Sequence, residues 1–256
     1  GSIYGLFGLN GAGKTTLLSH MSSMLFPDQG TCKIDGKAAS NRSPDMLSDL
    51  FLVPEQFTLP RMTGKEYMNI HAPFYHRFDS DLFGSCIDEF KVDQDAEIGE
   101  LSYGQQKKYL ISFALASNTR VLLMDEPTNG LDIPSKSQFR RIVASLDYSE
   151  RCIVISTHQV RDLGSMIDQV SILKNGEVVF NHSLDEIHKN LRFETIPQDA
   201  DQEYIYGEET LGGIEAICSK KRSNGSETGR LDLELLFNGI IAHTNSFQDE
   251  FKSTGQ

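Results

Sequence analysis

The sequence predicts an α/β fold with a mixed, mostly parallel sheet, a helical subdomain and a small α+β C-terminal extension. Short apolar runs occur at 3–7, 121–124 and 152–157; the first stops at a glycine-rich turn, and the other two stop at polar residues. Buried parallel strands end in this way at the sheet edge where ligands bind. After the first run, apolar residues recur at positions 17, 18, 21, 24 and 25, which is the spacing of one helix face. We therefore predict a strand followed at once by a helix that reaches Leu25.

The composition is typical of a soluble globular chain, with 39% hydrophobic and 23% charged residues. No apolar run approaches the roughly 18 to 20 residues of a membrane span, so no transmembrane segment is expected. The formal net charge of −12 argues against a nucleic-acid or anionic-lipid binder, because both need a basic surface. The four cysteines are widely spaced without a Cys-x-x-Cys pair, which favours reduced thiols.

A glycine-rich turn links the first strand to the first helix. Its residues, Gly8-x4-Gly13-Lys14-Thr15, follow the P-loop pattern and predict a P-loop NTPase fold. The glycines let successive backbone N–H groups face one anion, and the helix N-terminus adds its dipole. Lys14 is then placed to reach the β and γ phosphates of a nucleoside triphosphate, and the Thr15 hydroxyl to ligate Mg²⁺.

Two adjacent carboxylates, Asp125 and Glu126, follow the second apolar run. In a parallel sheet they lie at the same edge as the glycine-rich turn. We expect Asp125 to hold Mg²⁺ together with Thr15. We expect Glu126 to orient and polarise the attacking water, because phosphoryl transfer depends chiefly on positioning and charge stabilisation.

His158 follows the third apolar run. Taken alone, a histidine at a strand end is more often simply satisfied or exposed. A neighbouring strand end, however, would bring this imidazole close to the γ-phosphate. There it would bond the phosphate and the water held by Glu126, so His158 is a candidate sensor of the phosphate.

A second helix start lies in LSYGQQKK, residues 101–108. Ser102 is a natural N-cap, Gly104 leaves the amide end uncrowded, and helical periodicity follows. One interpretation is a well-capped core helix. The other is a second anion-binding helix terminus, which has a use only if it serves the nucleotide of another chain.

Five motifs resemble, in order, those of the ATP-binding subunits of ABC transporters, over about residues 3–191: the P-loop at 8–16, LSYGQ, VLLMDEP, GLD at 130–132 and STH at 156–158. The surrounding composition is most similar to single-domain subunits of bacterial exporters, whose membrane half is a separate polypeptide. In that family, the signature serine and glycine of one subunit close over the γ-phosphate held by the other. The resemblance thus implies that Ser102 and Gly104 act in trans in a head-to-tail dimer.

The resemblance also implies the role of each site residue. It makes Glu126 the catalytic base, His158 the switch and Lys14 a phosphate ligand in catalysis. It makes Thr15 and Asp125 the Mg²⁺ ligands. The implied ATP-binding residues are Asn10, Gly11, Ala12, Gly13, Lys14, Thr15, Thr16, Ser102, Gly104 and Gln105, with Asp132 at the dimer seam.

Two features depart from the family pattern. The family glutamine that bridges Mg²⁺ and the membrane partner normally follows a proline, but here Pro54 is followed by Glu55 and then Gln56. Both are candidate metal-site residues, and Glu55 is favoured because Gln56 would need a one-residue shift. The strands and the adenine-stacking aromatic residue that usually precede the P-loop strand are missing before Gly1. If the protein itself lacks these strands, weak adenine affinity and an exposed sheet edge are expected.

Two regions follow from these patterns. An ABC-type ATP-binding domain is predicted over 1–192, with a helical subdomain over about 61–115, and an extension of unknown role over 193–256. The aromatic residues of the helical subdomain are expected to form a local core; they are Tyr67, Phe74, Tyr75 and Phe78.

The predicted function is ATP hydrolysis by a homodimer or a paired ATPase subunit, which powers transport, in the export direction, through a separate membrane-spanning subunit. The chain would then be cytoplasmic and peripheral on the inner face of the membrane. Soluble ABC ATPases of translation or DNA repair usually join two cassettes and carry basic surfaces, unlike this acidic sequence. A module that binds ATP without turnover would lack Glu126 or the signature, and both are present. No nucleic-acid partner is expected.

Overall fold

A computed structural model describes residues 1–164, 166–199, 202–220 and 229–252. Within them, the strands are β1 (Ser2–Phe7), β2 (Lys33–Ile34), β3 (Lys37–Ala38), β4 (Leu50–Val53), β5 (Val121–Asp125), β6 (Cys152–Thr157), β7 (Gln169–Lys174), β8 (Glu177–Ser183), β9 (Leu191–Ile196), β10 (Tyr206–Thr210) and β11 (Gly213–Ser219). The α-helices are α1 (Lys14–Met21), α2 (Pro44–Ser48), α3 (Gly64–His71), α4 (Ser80–Phe90), α5 (Tyr103–Ala116), α6 (Ile133–Ser145), α7 (Leu184–Asn190), α8 (Leu233–Ala242) and α9 (Thr244–Phe251).

Six strands form the central sheet, in the spatial order β4–β5–β6–β1–β7–β8. Five of them run parallel, and β8 is antiparallel to β7 at one edge. The register pairs Phe7 with Thr157 and Asp125 with Ser156, so β1, β5 and β6 end at the same sheet edge. The predicted mostly parallel sheet is confirmed, together with its three predicted strands.

Alternate side chains of the sheet enter two separate apolar layers. Leu122 and Met124 of β5 belong to the larger layer, whereas Leu123 belongs to a smaller one that also holds Leu18 of α1. This alternation follows from the two-residue period of a strand. Because both faces are covered, β5 and β6 are buried at every position after their first residue. The buried strands therefore hold the turns that follow them in fixed positions.

Helix α1 ends earlier than the periodicity predicts. It stops at Met21, and Ser23 adopts a left-handed backbone with φ of 63°. The Ser23 hydroxyl donates to the carbonyl of Ala39 at 2.7 Å. This contact with a distant segment turns the chain away from the helix axis, so the predicted continuation to Leu25 is wrong.

Three helices, α3, α4 and α5, lie in the segment predicted as the helical subdomain. The ring of Phe113 on α5 is the centre of its core, with ring centroids 5.0 to 6.2 Å away on Tyr67, Tyr75, Phe78 and Phe83. The prediction was wrong for Phe74, which is 66% exposed. Phe74 ends a short 3₁₀ turn, Ala72–Phe74, where the helical spacing of the preceding apolar residues is lost.

The C-terminal extension combines a three-stranded antiparallel sheet, in the order β10–β11–β9, with α8 and α9. Strand β9 crosses the predicted boundary between residues 192 and 193, so we propose that the extension begins at Leu191. Leu236 of α8 is fully buried and belongs to the same apolar cluster as Leu163 and Val170 of the larger domain. The extension therefore shares a core with that domain.

Across the described ranges, no helix combines the length and apolar character needed to cross a membrane.

Candidate active site

Residues from several separate segments meet in an open cavity of about 500 Å³ at the carboxyl edge of the sheet. This volume lies in the range of small-molecule sites. The lining residues are Asn10, Gly11, Ala12, Gly13, Lys14, Thr15, Thr16, Glu55, Glu126, Asn129 and His158. All seven predicted residues of the glycine-rich turn, from Asn10 to Thr16, are thus brought together with Glu126 and His158.

The glycine-rich turn joins β1 to the first turn of α1. Gly13, the N-cap of α1, has a φ of 105°, a left-handed value that residues with a Cβ rarely adopt. A Cβ on Gly8 would lie 2.7 Å from the carbonyl oxygen of Leu173, so only glycine fits there. The turn can therefore present its backbone N–H groups and the start of α1 to one anion.

Lys14 extends across this turn and is 93% buried, with 7% exposure. Its Nζ donates to the carbonyl of Gly8 at 2.8 Å and lies 3.6 Å from Oε1 of Glu126. The ammonium is thus held between the phosphate-binding turn and the carboxylate at the end of β5. A phosphate in the cavity would meet this positive charge and the turn's N–H groups together.

Thr15 and Asp125 form the predicted metal pair. The Thr15 hydroxyl donates to Oδ2 of Asp125 at 2.6 Å, and the Ser156 hydroxyl donates to Oδ1. A hydroxyl and a carboxylate oxygen meeting at one point is a donor set that suits Mg²⁺, which prefers hard oxygen ligands and retains several waters. Sequence reasoning missed Ser156, which reaches Asp125 only through the pairing of β5 with β6.

Glu126 is 4% exposed and has a φ of 45°, which is uncommon for a residue with a side chain. Its N–H donates to the carbonyl and hydroxyl oxygens of Ser156, both at 3.1 Å. Its Oε1 lies 2.8 Å from Nδ1 of His158 and accepts the His158 backbone N–H at 3.0 Å. Its Oε2 is buried and has no hydrogen-bond partner among the described residues. One carboxylate oxygen is therefore fixed, while the other keeps its capacity to accept a hydrogen bond.

Of the two alternative metal-site residues, Glu55 is at the site and Gln56 is not. Glu55 lines the cavity, whereas Gln56 is exposed and does not contribute to the lining. Oε1 of Glu55 accepts a hydrogen bond from Nδ2 of Asn129 at 3.2 Å. Asn129 lines the same cavity, and sequence reasoning missed it; its position directly before the GLD motif was the available signal.

We expect Glu55→Ala to raise the Mg²⁺ concentration for half-maximal ATP hydrolysis by about 10-fold, the usual effect of losing an outer-sphere partner of a metal. Gln56→Ala is the matched control and should leave that concentration unchanged, because its side chain lies outside the cavity. Titration of Mg²⁺ at fixed ATP measures both values. The opposite ranking of the two variants would assign the position to Gln56.

The predicted trans residues lie apart from this cavity. Ser102 caps α5, accepting the N–H of Gln105 at 3.4 Å, and its side chain is exposed. Asp132 caps α6, accepting the N–H of Ser135 at 2.8 Å; hydrogen bonds from the Ser135 side chain and backbone hold the Asp132 pKa below its usual value. Neither these residues nor Gly104 lines the cavity.

Comparison with known proteins gives the family. The sequence profile described as ABC transporter matches residues 1–129. The chain is 28% identical to the ABC transporter ATP-binding protein NatA of Bacillus subtilis, over 84% of this chain and 87% of that protein. It is 30% identical to the Nod factor export ATP-binding protein I of Burkholderia lata, over 70% of this chain and 61% of that protein. It is also 31% identical to the ribose import ATP-binding protein RbsA of Chromobacterium violaceum, over 69% of this chain and 38% of that protein.

Solved structures give the same fold. An ATP-binding subunit of an ABC transporter superposes with a TM-score of 0.65 at 24% identity, over 73% of this chain and 81% of that one. A dimeric ATP-binding cassette with bound ADP and phosphate superposes with a TM-score of 0.61 at 24% identity, over 72% of this chain and 85% of that one. The matched profile, together with the P-loop and Glu126 in one cavity, shows that the chain belongs to the ABC transporter family as an ATP-binding subunit with ATPase activity.

Proposed function

We propose that the chain hydrolyses Mg-ATP as one half of a head-to-tail dimer and thereby powers export through a separate membrane-spanning subunit. The observation that carries this proposal is the separation of two anion-binding helix starts. The start of α1 opens into the chain's own cavity, whereas Ser102 and Gly104, at the start of α5, lie outside it. A second copy, or a paired ATPase subunit, would supply the phosphate that the start of α5 lacks.

The contacts within one cavity support the following proposed roles. Lys14 and the backbone N–H groups of the turn bind the β and γ phosphates. Thr15 and Asp125 would hold Mg²⁺, with Glu55 acting through a water. Bound there, Mg²⁺ would supply positive charge that neutralises negative charge developing on the phosphate.

Glu126 is the proposed catalytic base. His158 fixes its Oε1, so the unpartnered Oε2 can accept a hydrogen bond from the attacking water and align it with the γ-phosphate. The imidazole of His158 also lines the cavity, where it would respond to the presence of the phosphate. Catalysis should be slow in a single chain, because the signature residues and water exclusion arrive only on dimer closure.

A membrane-spanning partner has a candidate docking surface between α2 and the helical subdomain. A groove of about 440 Å³ lies between α2 and the turn after α3, and the exposed Phe74 lines it beside Pro44, Tyr75 and His76. We propose that this groove receives the partner, and that the chain lies on the inner face of the membrane. The relatives' names include both export and import proteins. Export is the direction we propose.

A mixing experiment tests the trans arrangement. Chains carrying Lys14→Ala or Ser102→Arg should each be nearly inactive alone. Mixed in equal amounts, they should recover about a quarter of the wild-type rate, because about half of the dimers are mixed and each holds one complete site. That complete site combines the cavity of the Ser102→Arg chain with the signature of the Lys14→Ala chain.

The matched control mixes Lys14→Ala with Glu126→Gln. Both changes affect the same cavity of each chain, so no combination contains a complete site and no activity should return. Recovery in the first mixture alone supports the head-to-tail dimer. Equal behaviour of the two mixtures would exclude it. Purification of the tagged chain from solubilised membranes, with partners identified by mass spectrometry, tests the membrane subunit separately.

A further inference from the structure

Lys107 is a buried charge next to the site that the mechanism above does not use. It lies one turn after the start of α5, and its relative exposure is 0%. Lysine is almost never fully buried unless it is paired. Its Nζ donates to the backbone carbonyl of Glu126 at 2.8 Å and to that of Asn129 at 3.1 Å. The ammonium thus bonds the two ends of the loop that carries the proposed base.

This loop has a backbone that needs support. Glu126 has a left-handed φ of 45°, which costs energy for a residue with a side chain. Ser156 bonds the N–H side of Glu126, and Lys107 bonds its carbonyl side. The carbonyl also accepts the N–H of Asn129 at 3.1 Å, which closes the turn. The orientation of Glu126 is therefore determined from both sides of its peptide unit.

The charged groups around Lys107 are consistent with its position beside the Glu126 loop. Burial lowers the pKa of Lys107, while the carboxylates of Glu55, Glu126 and Asp125 oppose that shift. These are the acidic groups at the cavity end of the sheet. The positive charge of Lys107 therefore stabilises the negative charge of these carboxylates.

A second contact joins the same helix to the site. The Tyr103 hydroxyl donates to the backbone carbonyl of Glu55, and its ring stacks on Phe57 with centroids 5.2 Å apart. Tyr103 and Lys107 are four residues apart, so they lie on one face of α5. Asn129 completes the network, because its side chain bonds Glu55 while its carbonyl accepts from Lys107.

We propose that Lys107 is a positioning residue for ATP hydrolysis: its buried ammonium holds the loop from Glu126 to Asn129 so that the base faces the cavity. The proposal rests on the proposed role of Glu126. Lys107 and Ser102 lie at the same end of α5. Closure of this helix end on the nucleotide of a second chain would therefore also act on Glu126, the proposed base of the chain's own site. Each site would then depend on the state of the other.

The test compares Lys107→Met, which removes the N–H donors, with Lys107→Gln, which keeps N–H donors; both side chains are one bond shorter than that of lysine. We expect kcat to fall about 10-fold or more for Lys107→Met and about threefold for Lys107→Gln, the scale of a mispositioned catalytic group. The equilibrium Kd for ATP should stay within about threefold of wild type, because Lys107 does not line the cavity.

Lys65→Met is the control, because Lys65 is an exposed lysine of the same subdomain paired with Asp95 at the surface. It should leave kcat and Kd unchanged. The proposal is overturned if both Lys107 variants keep kcat within about twofold of wild type, or if Kd rises in proportion to the fall in kcat. Should Lys107→Met fail to fold, Lys107→Gln alone decides between these outcomes. A wild-type chain without ATPase activity would instead contradict the proposed function.

Discussion

Replacing Glu126 by glutamine should lower kcat for ATP by about 100-fold or more, the scale expected when a general base is removed. Glutamine keeps the size of the side chain and an oxygen that can accept from the His158 N–H, so the local fold should persist. It lacks the negative charge needed to polarise water. Mg-ATP should therefore remain bound and hold the dimer closed. Steady-state turnover and light scattering with saturating Mg-ATP measure the two effects.

Glu150→Gln is the matched control, because Glu150 is an exposed carboxylate outside the cavity. It should behave as wild type in both measurements. A Glu126→Gln chain that remains monomeric in saturating Mg-ATP would contradict the dimer sandwich. One that keeps the wild-type kcat would show that another group activates the water.

The second large effect is expected at Lys14. Lys14→Ala removes a 93%-buried ammonium that bonds the Gly8 carbonyl and lies 3.6 Å from Glu126. Hydrogen bonds to charged groups contribute about 1.5 to 3 kcal/mol each, so we expect the Kd for ATP to rise about 100-fold. Equilibrium displacement of a fluorescent nucleotide measures this Kd without turnover.

Lys37→Ala serves as its control, since Lys37 is exposed in the short strand β3 and lies outside the cavity. Circular dichroism of both variants separates a loss of binding from a loss of folding. If Lys14→Ala retains a Kd within about threefold of wild type, Lys14 does not bind the phosphates and its role is confined to the turn.

Much of the fold is readable from short segments of the chain. The runs that become β1, β5 and β6 are recognisable because a strand buried on both faces is continuously apolar. The end of α1 is not, because the left-handed Ser23 is stabilised by Ala39, sixteen residues away. The exposure of Phe74 was mispredicted for a related reason, since residue type reports hydrophobicity but not the direction of a 3₁₀ turn.

The candidate site also has one part that the sequence predicts and another that only the tertiary structure shows. By itself, the sequence determined the glycine-rich turn, the Asp125–Glu126 pair and the capped start of α5, because each works through backbone geometry and neighbours within a few residues. The tertiary structure alone decided that Glu55 rather than Gln56 reaches the cavity, that Ser156 bonds Asp125, and that Lys107 bonds the Glu126 loop. The bonds Lys107–Glu126, Ser156–Asp125 and Asn129–Glu55 join residues 19, 31 and 74 positions apart, and they depend on strand register and the packing of α5. No local sequence pattern predicts contacts between residues so far apart, because only burial in a shared core brings the groups together.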